Sequence, residues 1–172
     1  MATFVERIVG AAKISTGTYE EVEADESATT QAVAVVVLSS VAGGIGLGEG
    51  VGGLIAGAVG GVVGWLVWSY LTYWIGTRWL AEPGTRASAG ELLRAIGFAT
   101  APGLLRVIGV VPGIREPVFL VTAIWSLVAV VVAVRQALDF SSTLRAVGVC
   151  LLGWLIQAVV FVLIVRLLGA GA

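Results

Sequence analysis

Residues 50–77 read GVGGLIAGAVGGVVGWLVWSYLTYWIGT, twenty-eight consecutive positions without a charge. Crossing the apolar core of a bilayer takes about 20 helical residues, so this stretch can span and has length left over for a tilt. It overlaps a run, 43–64, in which eleven of twenty-two residues are glycine. Glycine that dense marks a phosphate cradle, a flexible linker or closely packed membrane helices. GEGVGG at 48–53 has the G-x-G-x-x-G spacing. A dinucleotide site needs a strand before that spacing and an acid about 20 residues after it. Here an apolar span precedes it, and no acid occurs from Gly50 to Ala81. A P-loop needs Gly-Lys-Ser/Thr, and the chain's one lysine is Lys13. A linker would not continue into an uncharged span. The remaining reading is helix packing, in which Gly53, Gly57, Gly61 and Gly64 line one side of the helix and let a neighbouring backbone approach. The neighbour expected is the preceding span, and a glycine-lined pathway is the alternative.

The rest of the composition agrees with a lipid solvent. Of the 172 residues, 58% are hydrophobic and 12% charged, and mean hydropathy is +1.02. Typical globular domains carry about 25% charged residues, and a fold this small could not bury so much apolar surface in water. The formal charge of −1 argues against nucleic acid as a partner. There is no histidine, which removes the commonest general base and metal ligand. Cys150 stands alone in an apolar run, as a buried, inert thiol would. No metal, cofactor or catalytic residue is expected. The N-terminal MATFVERIVGAAK lacks the pattern of a cleaved signal peptide.

Charge-poor apolar runs define five spans, at about 31–48, 52–79, 95–113 (interrupted by Pro102 and Arg106), 117–134 and 146–165, within a membrane domain over 31–172. With the N-terminus inside, Arg7, Lys13, Arg78, Arg86, Arg94, Arg135 and Arg145 fall on the cytoplasmic side, and Arg115 and Arg166 outside. Seven against two gives N-in, C-out. Trp74 and Trp79 beside Arg78 suit an interfacial belt. The fold class is therefore an all-α polytopic bundle of five transmembrane helices.

Ahead of the spans lies a cytoplasmic segment, 1–30. On a helical wheel Met1, Phe4, Val5, Ile8, Val9 and Ala12 share one arc of an amphipathic helix over 2–14. That arc can lie on the inner leaflet or pack on the protein itself. Gly17 is expected to break this helix. Thr18 and Glu21 have capping-box spacing, so an acidic helix should start there and run toward the first span. It carries Glu20, Glu21, Glu23, Asp25 and Glu26. These acids can dock on Arg86, Arg94, Arg135 and Arg145, or serve a basic partner or a divalent cation. Ser88 with Glu91 has cap spacing too. Arg135 and Asp139 are four apart and can pair, and Ser141, Ser142 or Thr143 can cap the last span.

Arg106 falls near the middle of the third span, where a charge costs about 2.5–3.5 kcal/mol on insertion scales. Gln157 lies at similar depth, and Pro102 opens the helix by freeing the carbonyl near Phe98. The three form either a polar site inside the bundle or a helix whose arginine snorkels to the outer interface.

TYEEVEADESATTQA (18–32), ELLRAIGFATAPGLL (91–105) and VVAVRQALDFSSTLRAVGVCLLGWLI (131–156) resemble the prokaryotic branch of the YIP family, five-span membrane proteins named for Ypt/Rab interaction. Gly97, Phe98 and Pro102 parallel that family's Gly-Tyr segment with its downstream proline. Before the first span this chain reads EVEADES, without the Asp-Leu-Tyr-Gly-Pro-like stretch of the eukaryotic branch. The resemblance implies a membrane adaptor or organising role, linked to trafficking in eukaryotes. The lack of histidine, of paired carboxylates within a span and of a serine with a base makes a non-enzymatic protein the expectation, and the Ala/Gly/Val/Arg-rich composition with one lysine suits a prokaryotic cytoplasmic membrane. The partners expected are the lipid bilayer, proteins at the cytoplasmic face and a second copy of the chain. The alternatives are a small transporter or channel around Arg106 and Gln157, and an enzyme acting on lipid head groups.

Overall fold

The computed structural model describes residues 2–169, which leaves Met1 of the apolar arc and the last three residues of the expected membrane domain outside it. Among the described residues there are helices and turns and no strand. Helix α1, Phe4–Ala12, opens on a capping box that the sequence reading missed: the Glu6 amide donates to Thr3 Oγ1, and the Thr3 amide donates to Glu6 Oε2 at 2.7 Å. The chain turns at Ile14, which sits at φ 59°, and α2 runs Thr16–Ala24. The expected break at Gly17 and start at Thr18 are corrected. The left-handed turn comes earlier, Gly17 lies inside α2, and the N-cap is Ser15, with no side-chain bond. Nor does α2 flow into the first span. Asp25 leaves the helix in extended conformation, and its Oδ1 accepts from both the amide and the hydroxyl of Ser27.

The spans follow as α3 (Ala28–Leu47), α4 (Val51–Trp74), α5 (Ala89–Phe98), α6 (Arg115–Ala137) and α7 (Thr143–Gly169). Helix α3 ends on Gly48 at φ 78°, a conformation that favours a residue without Cβ. A π-helical turn, Ile75–Trp79, extends α4. Helix α5 opens on the expected Ser88–Glu91 capping box. It stops at Phe98, four residues before Pro102, whose missing N–H and ring bulk disfavour a continuous α-helix. The chain then goes on as a 3₁₀ helix over Ala101–Val110, long for that form. Counting α5 and the 3₁₀ segment as one, five helical segments among the described residues are long and apolar enough to cross a membrane.

At the centre, α3 and the third span run side by side in the same direction. Ala32 packs on Gly97, Ser39 on Gly103, and Gly46 on the Arg106 carbonyl. A 3₁₀ helix stacks every third residue, so Gly103, Arg106 and Gly109 share one face, and α3 meets it with Ser39, Gly43 and Gly46. This is the close backbone approach that glycine permits in lipid. The seam expected along Gly53, Gly57, Gly61 and Gly64 needs correction. Only Gly61 abuts α3, at Ser40. Gly53 faces Glu49, and a methyl at Gly57 or Gly64 would meet nothing within 4 Å. Tyr19, Val22, Leu92, Phe98, Val134 and Leu138 are among the fully buried core residues. Val51, Ile55, Val59 and Val63, by contrast, leave a continuous exposed apolar stripe on α4. Such a stripe is stable against hydrocarbon and a liability in water.

Candidate functional site

Two polar regions stand out, one on the side of the bundle that holds α1 and α2, the other among the spans. On the N-terminal side the organising residue is Arg7, which is 2% exposed. Its Nη2 donates to Glu21 Oε1 at 2.9 Å and to Asp25 Oδ2 at 2.7 Å, its Nε to Glu21, and its Nη1 to Gln31 at the start of α3. Glu21 and Asp25 are four apart on α2 and its C-cap, so both carboxylates face α1. Hydrogen bonds from Arg7 hold the Glu21 carboxyl below its ordinary range; those from Ser27 and then Arg7 do so for Asp25. The hairpin is fastened further by Tyr19, whose hydroxyl donates to the Ala11 carbonyl, and by Trp125 in the middle of α6, whose indole donates to the Ala12 carbonyl at 2.7 Å. Phe4, Ile8 and Ala11 pack inward, whereas Val5 and Val9 face away. The apolar arc thus divides between the protein and its surroundings.

The acidic run docks within the molecule, though mostly not on the arginines expected. Arg94 is buried and donates to the Val22 and Glu23 carbonyls at the end of α2 rather than to a carboxylate. Arg135 donates to the Phe140 and Ser141 carbonyls. Its expected pairing with Asp139 does not form, because Asp139 sits at φ 52° beyond the end of α6 and is exposed. Arg145 pairs with Glu82 at 3.4 Å, and Glu82 also accepts from the Ser141 amide and hydroxyl. That bond draws Ser141 away from capping α7. The Ser142 carbonyl instead accepts from the Arg145 and Ala146 amides. Glu20 accepts from Gln136, and Glu26 is exposed. Glu23 is half-buried, with one carboxylate oxygen lacking a partner. Burial, then the charges of Asp139, Glu91 and Glu20, push its carboxyl up to about 7.

The second region is a cavity of about 530 Å³ between the spans, lined by residues of all five. Arg106 and Gln157, paired by the sequence reading, both line it. Pro102 is buried and sets the helical form that presents Arg106, but it is not part of the lining. The snorkelling alternative for Arg106 is not what is observed. Its side chain follows the usual helical lean toward the N-terminal end of its own segment, with the guanidinium carbon beside Gly103. Nε donates to Thr122 Oγ1 at 3.3 Å, and the Phe119 ring lies 5.8 Å from the guanidinium. Among the described residues no carboxylate lies within 4.0 Å of it. Ser126, on α6 one turn from Thr122, lines the same cavity with a buried hydroxyl that has no partner among the described residues. Trp68 and Trp154 face each other across another wall, centroids 6.0 Å apart.

Arg7, Gln31, Thr122 and Ser126 were missed from sequence. The 3₁₀ face was missed with them, although Gly103, Arg106 and Gly109 at three-residue intervals after a proline are a legible sign of it.

Apolar helices with five spans and a lipid-suited surface define a multi-pass membrane protein in contact with the bilayer. The Yip1 domain matches residues 19–165, most of the chain, and the chain belongs to the Yip1 family. No curated protein and no solved structure matches it. The family match begins within α2, so α1 and Arg7 lie ahead of the matched segment.

Proposed function

We propose that this protein is a non-enzymatic adaptor or membrane-organising protein of a prokaryotic cytoplasmic membrane, N-terminus inside, which receives protein partners on its N-terminal face. The observation that carries the reading is how the carboxylates there are divided. Arg7 engages Glu21 and Asp25 internally. Glu20, Glu26 and Asp139 stay exposed, and none of them has a cation within 4.0 Å among the described residues. A rigid surface with free carboxylates suits a partner with a basic segment, and attraction between them would speed encounter. The seven-to-two bias of basic residues supports the orientation.

Deleting residues 18–26 would test this poorly, because Tyr19 and Val22 are core residues. The double variant Glu20→Lys, Glu26→Lys reverses two exposed charges and keeps the fold. With the full chain in nanodiscs as bait, partners cross-linked to the wild type should be lost from the variant. Retention of every partner would overturn the reading.

A transporter or channel is the second reading, and the shared cavity of Arg106 and Gln157 speaks for it. Toward the N-terminal side Ala95, Phe98, Ala129 and Ala133 are fully buried and apolar, which favours a closed pocket over a path. Arg106→Leu in liposomes should abolish flux if the path exists, and unchanged flux would remove this reading.

A further inference from the structure

The packing register orders the cavity by depth. Helix α3 and the third span rise from the N-terminal side, and α6 returns, with Arg106 against Thr122 and Gly109 against Phe119. The end of the cavity nearer the Glu49 and Arg115 loops therefore holds Ser40, Arg106 and Gln157. The end nearer the N-terminal side holds Val36, Ile96, Val130 and Trp68. One end is cationic and polar, and the other is apolar.

The cation is under-satisfied. A guanidinium offers five donors in a fork that matches a carboxylate or phosphate, and among the described residues Arg106 makes one hydrogen bond, to a hydroxyl. Removing an unpaired charge from water costs several kcal/mol, and the Ser126 hydroxyl nearby is a further polar group without a partner among those residues. An anion seated here would answer both. Its source is indicated by the walls: Ala123, Leu127 and Trp154 are exposed on the apolar outer surface, so the mouth faces lipid and not water.

We propose that the cavity binds an anionic amphiphile, its head group on Arg106 and its acyl chain along the Trp68–Trp154 wall. The head group is a carboxylate or a phosphate, as a fatty acid or an anionic phospholipid would supply. The inference does not depend on the adaptor reading of the opposite face.

Quenching of tryptophan fluorescence by brominated acyl chains tests it in the full chain, delipidated and held in neutral detergent. Brominated stearate, brominated-chain phosphatidylglycerol and brominated-chain phosphatidylcholine are titrated in separate arms, and inorganic phosphate is added as a competitor. Wild type should bind one of the anionic chains saturably and at least about tenfold more tightly than phosphatidylcholine. Preference for stearate assigns a carboxylate head, and preference for phosphatidylglycerol a phosphate. Arg106→Met should abolish that preference while Arg106→Lys keeps part of it. Leu127→Trp, which fills the cavity and leaves Arg106 in place, should reduce saturable binding at least tenfold. Equal affinity for anionic and neutral chains, a preference unchanged in Arg106→Met, or full displacement by millimolar inorganic phosphate would each overturn the proposal.

Discussion

Arg7 and Arg106 are two arginines withdrawn from solvent in one chain, and their surroundings are opposites. Arg7 lies outside the spans and touches two carboxylates and an amide within 3.2 Å. Arg106 lies inside a span and, among the described residues, touches one hydroxyl and the face of a phenyl ring. The first closes a contact between elements, pinning α1 to α2 and α3. The second leaves a cavity open beside it. Desolvation weighs on both, but only Arg7 has neighbouring charges to offset it. A protein arranged to keep one arginine saturated and the other short of partners separates a structural clasp from a site.

The largest expected effect comes from removing the clasp. Arg7→Met keeps the apolar stem but strands Glu21 and Asp25, and losing one partner of a buried pair costs about 3–5 kcal/mol. Since the Glu21 side chain is 35% exposed, the lower end of that range is expected, about 3 kcal/mol. Thermal unfolding in detergent would measure it. A lysine-specific protease offers a local readout, because Lys13 at the α1–α2 turn is exposed and is the chain's one lysine. Cleavage there should accelerate in the variant. If both readouts stay at wild-type values, the clasp is not structural and the contrast fails.

Gly46→Ala comes next and acts on the other arginine's backbone. A methyl at Gly46 collides with the Arg106 carbonyl, so the 3₁₀ segment must move. Overpacking of this kind costs about 1–3 kcal/mol. Gly57→Ala is the control, since its methyl meets open space and helix propensity favours alanine by up to about 1 kcal/mol. Parity between the two in a thermal melt would break the assignment of the seam to α3 and the third span.

That seam also shows where the sequence was legible. The charge-poor runs give the spans directly, because bilayer thickness sets a length that composition reveals. Ser88 and Glu91 mark a helix start because a cap is a local interaction. The amphiphilic arc of α1 is equally plain, but not its division between Val5 and Val9 outside and Phe4 and Ile8 inside, which depends on what α2 and α6 present. The glycine seam was misplaced for a related reason. Four-residue spacing in α4 shows a smooth face, and only the partner decides whether a smooth face is used. Arg106 and Gln157 could be paired from depth alone, because each span carries its own ruler. The clasp of Arg7 could not, since it depends on a turn at Ile14 that no residue preference announces.

A smaller effect is expected at Glu23, which lies where the clasped hairpin meets the rest of the N-terminal face. Its carboxyl is raised from 4.5 to about 7, by burial first and then by Asp139, Glu91 and Glu20, with Arg94 opposing. Below pH 4.5 both folded and unfolded chains hold the proton, and Glu23 has no effect. Between 4.5 and 7 the unfolded chain releases it while the folded chain keeps it, so stability falls as pH rises, and above 7 the loss stays constant. Because the side chain is half-exposed, solvent screening reduces the loss to about 1 kcal/mol. Glu23→Gln should match wild type at pH 4.5 and exceed it at pH 8. A variant whose melting temperature tracks wild type across that range would mean that the site is more open than its partners suggest.

The smallest stability change is expected at the residue with the sharpest role. In delipidated protein, Arg106→Met gives up one charge-assisted hydrogen bond, about 1.5–3 kcal/mol, and a cation–π contact, about 0.5–1 kcal/mol. It also removes the desolvation of a cation without a counter-ion, several kcal/mol in the other direction. These terms oppose each other and leave a net change within about 1 kcal/mol, near zero or stabilising where Arg7→Met is strongly destabilising. Adding an anionic amphiphile shifts the balance, because a ligand that binds only the folded wild type stabilises it in proportion to its occupancy. The two proteins should then melt together when stripped of lipid and apart when the amphiphile is supplied. If Arg106→Met is already several kcal/mol less stable without lipid, Arg106 has an internal partner after all and is a second clasp, and its difference from Arg7 disappears.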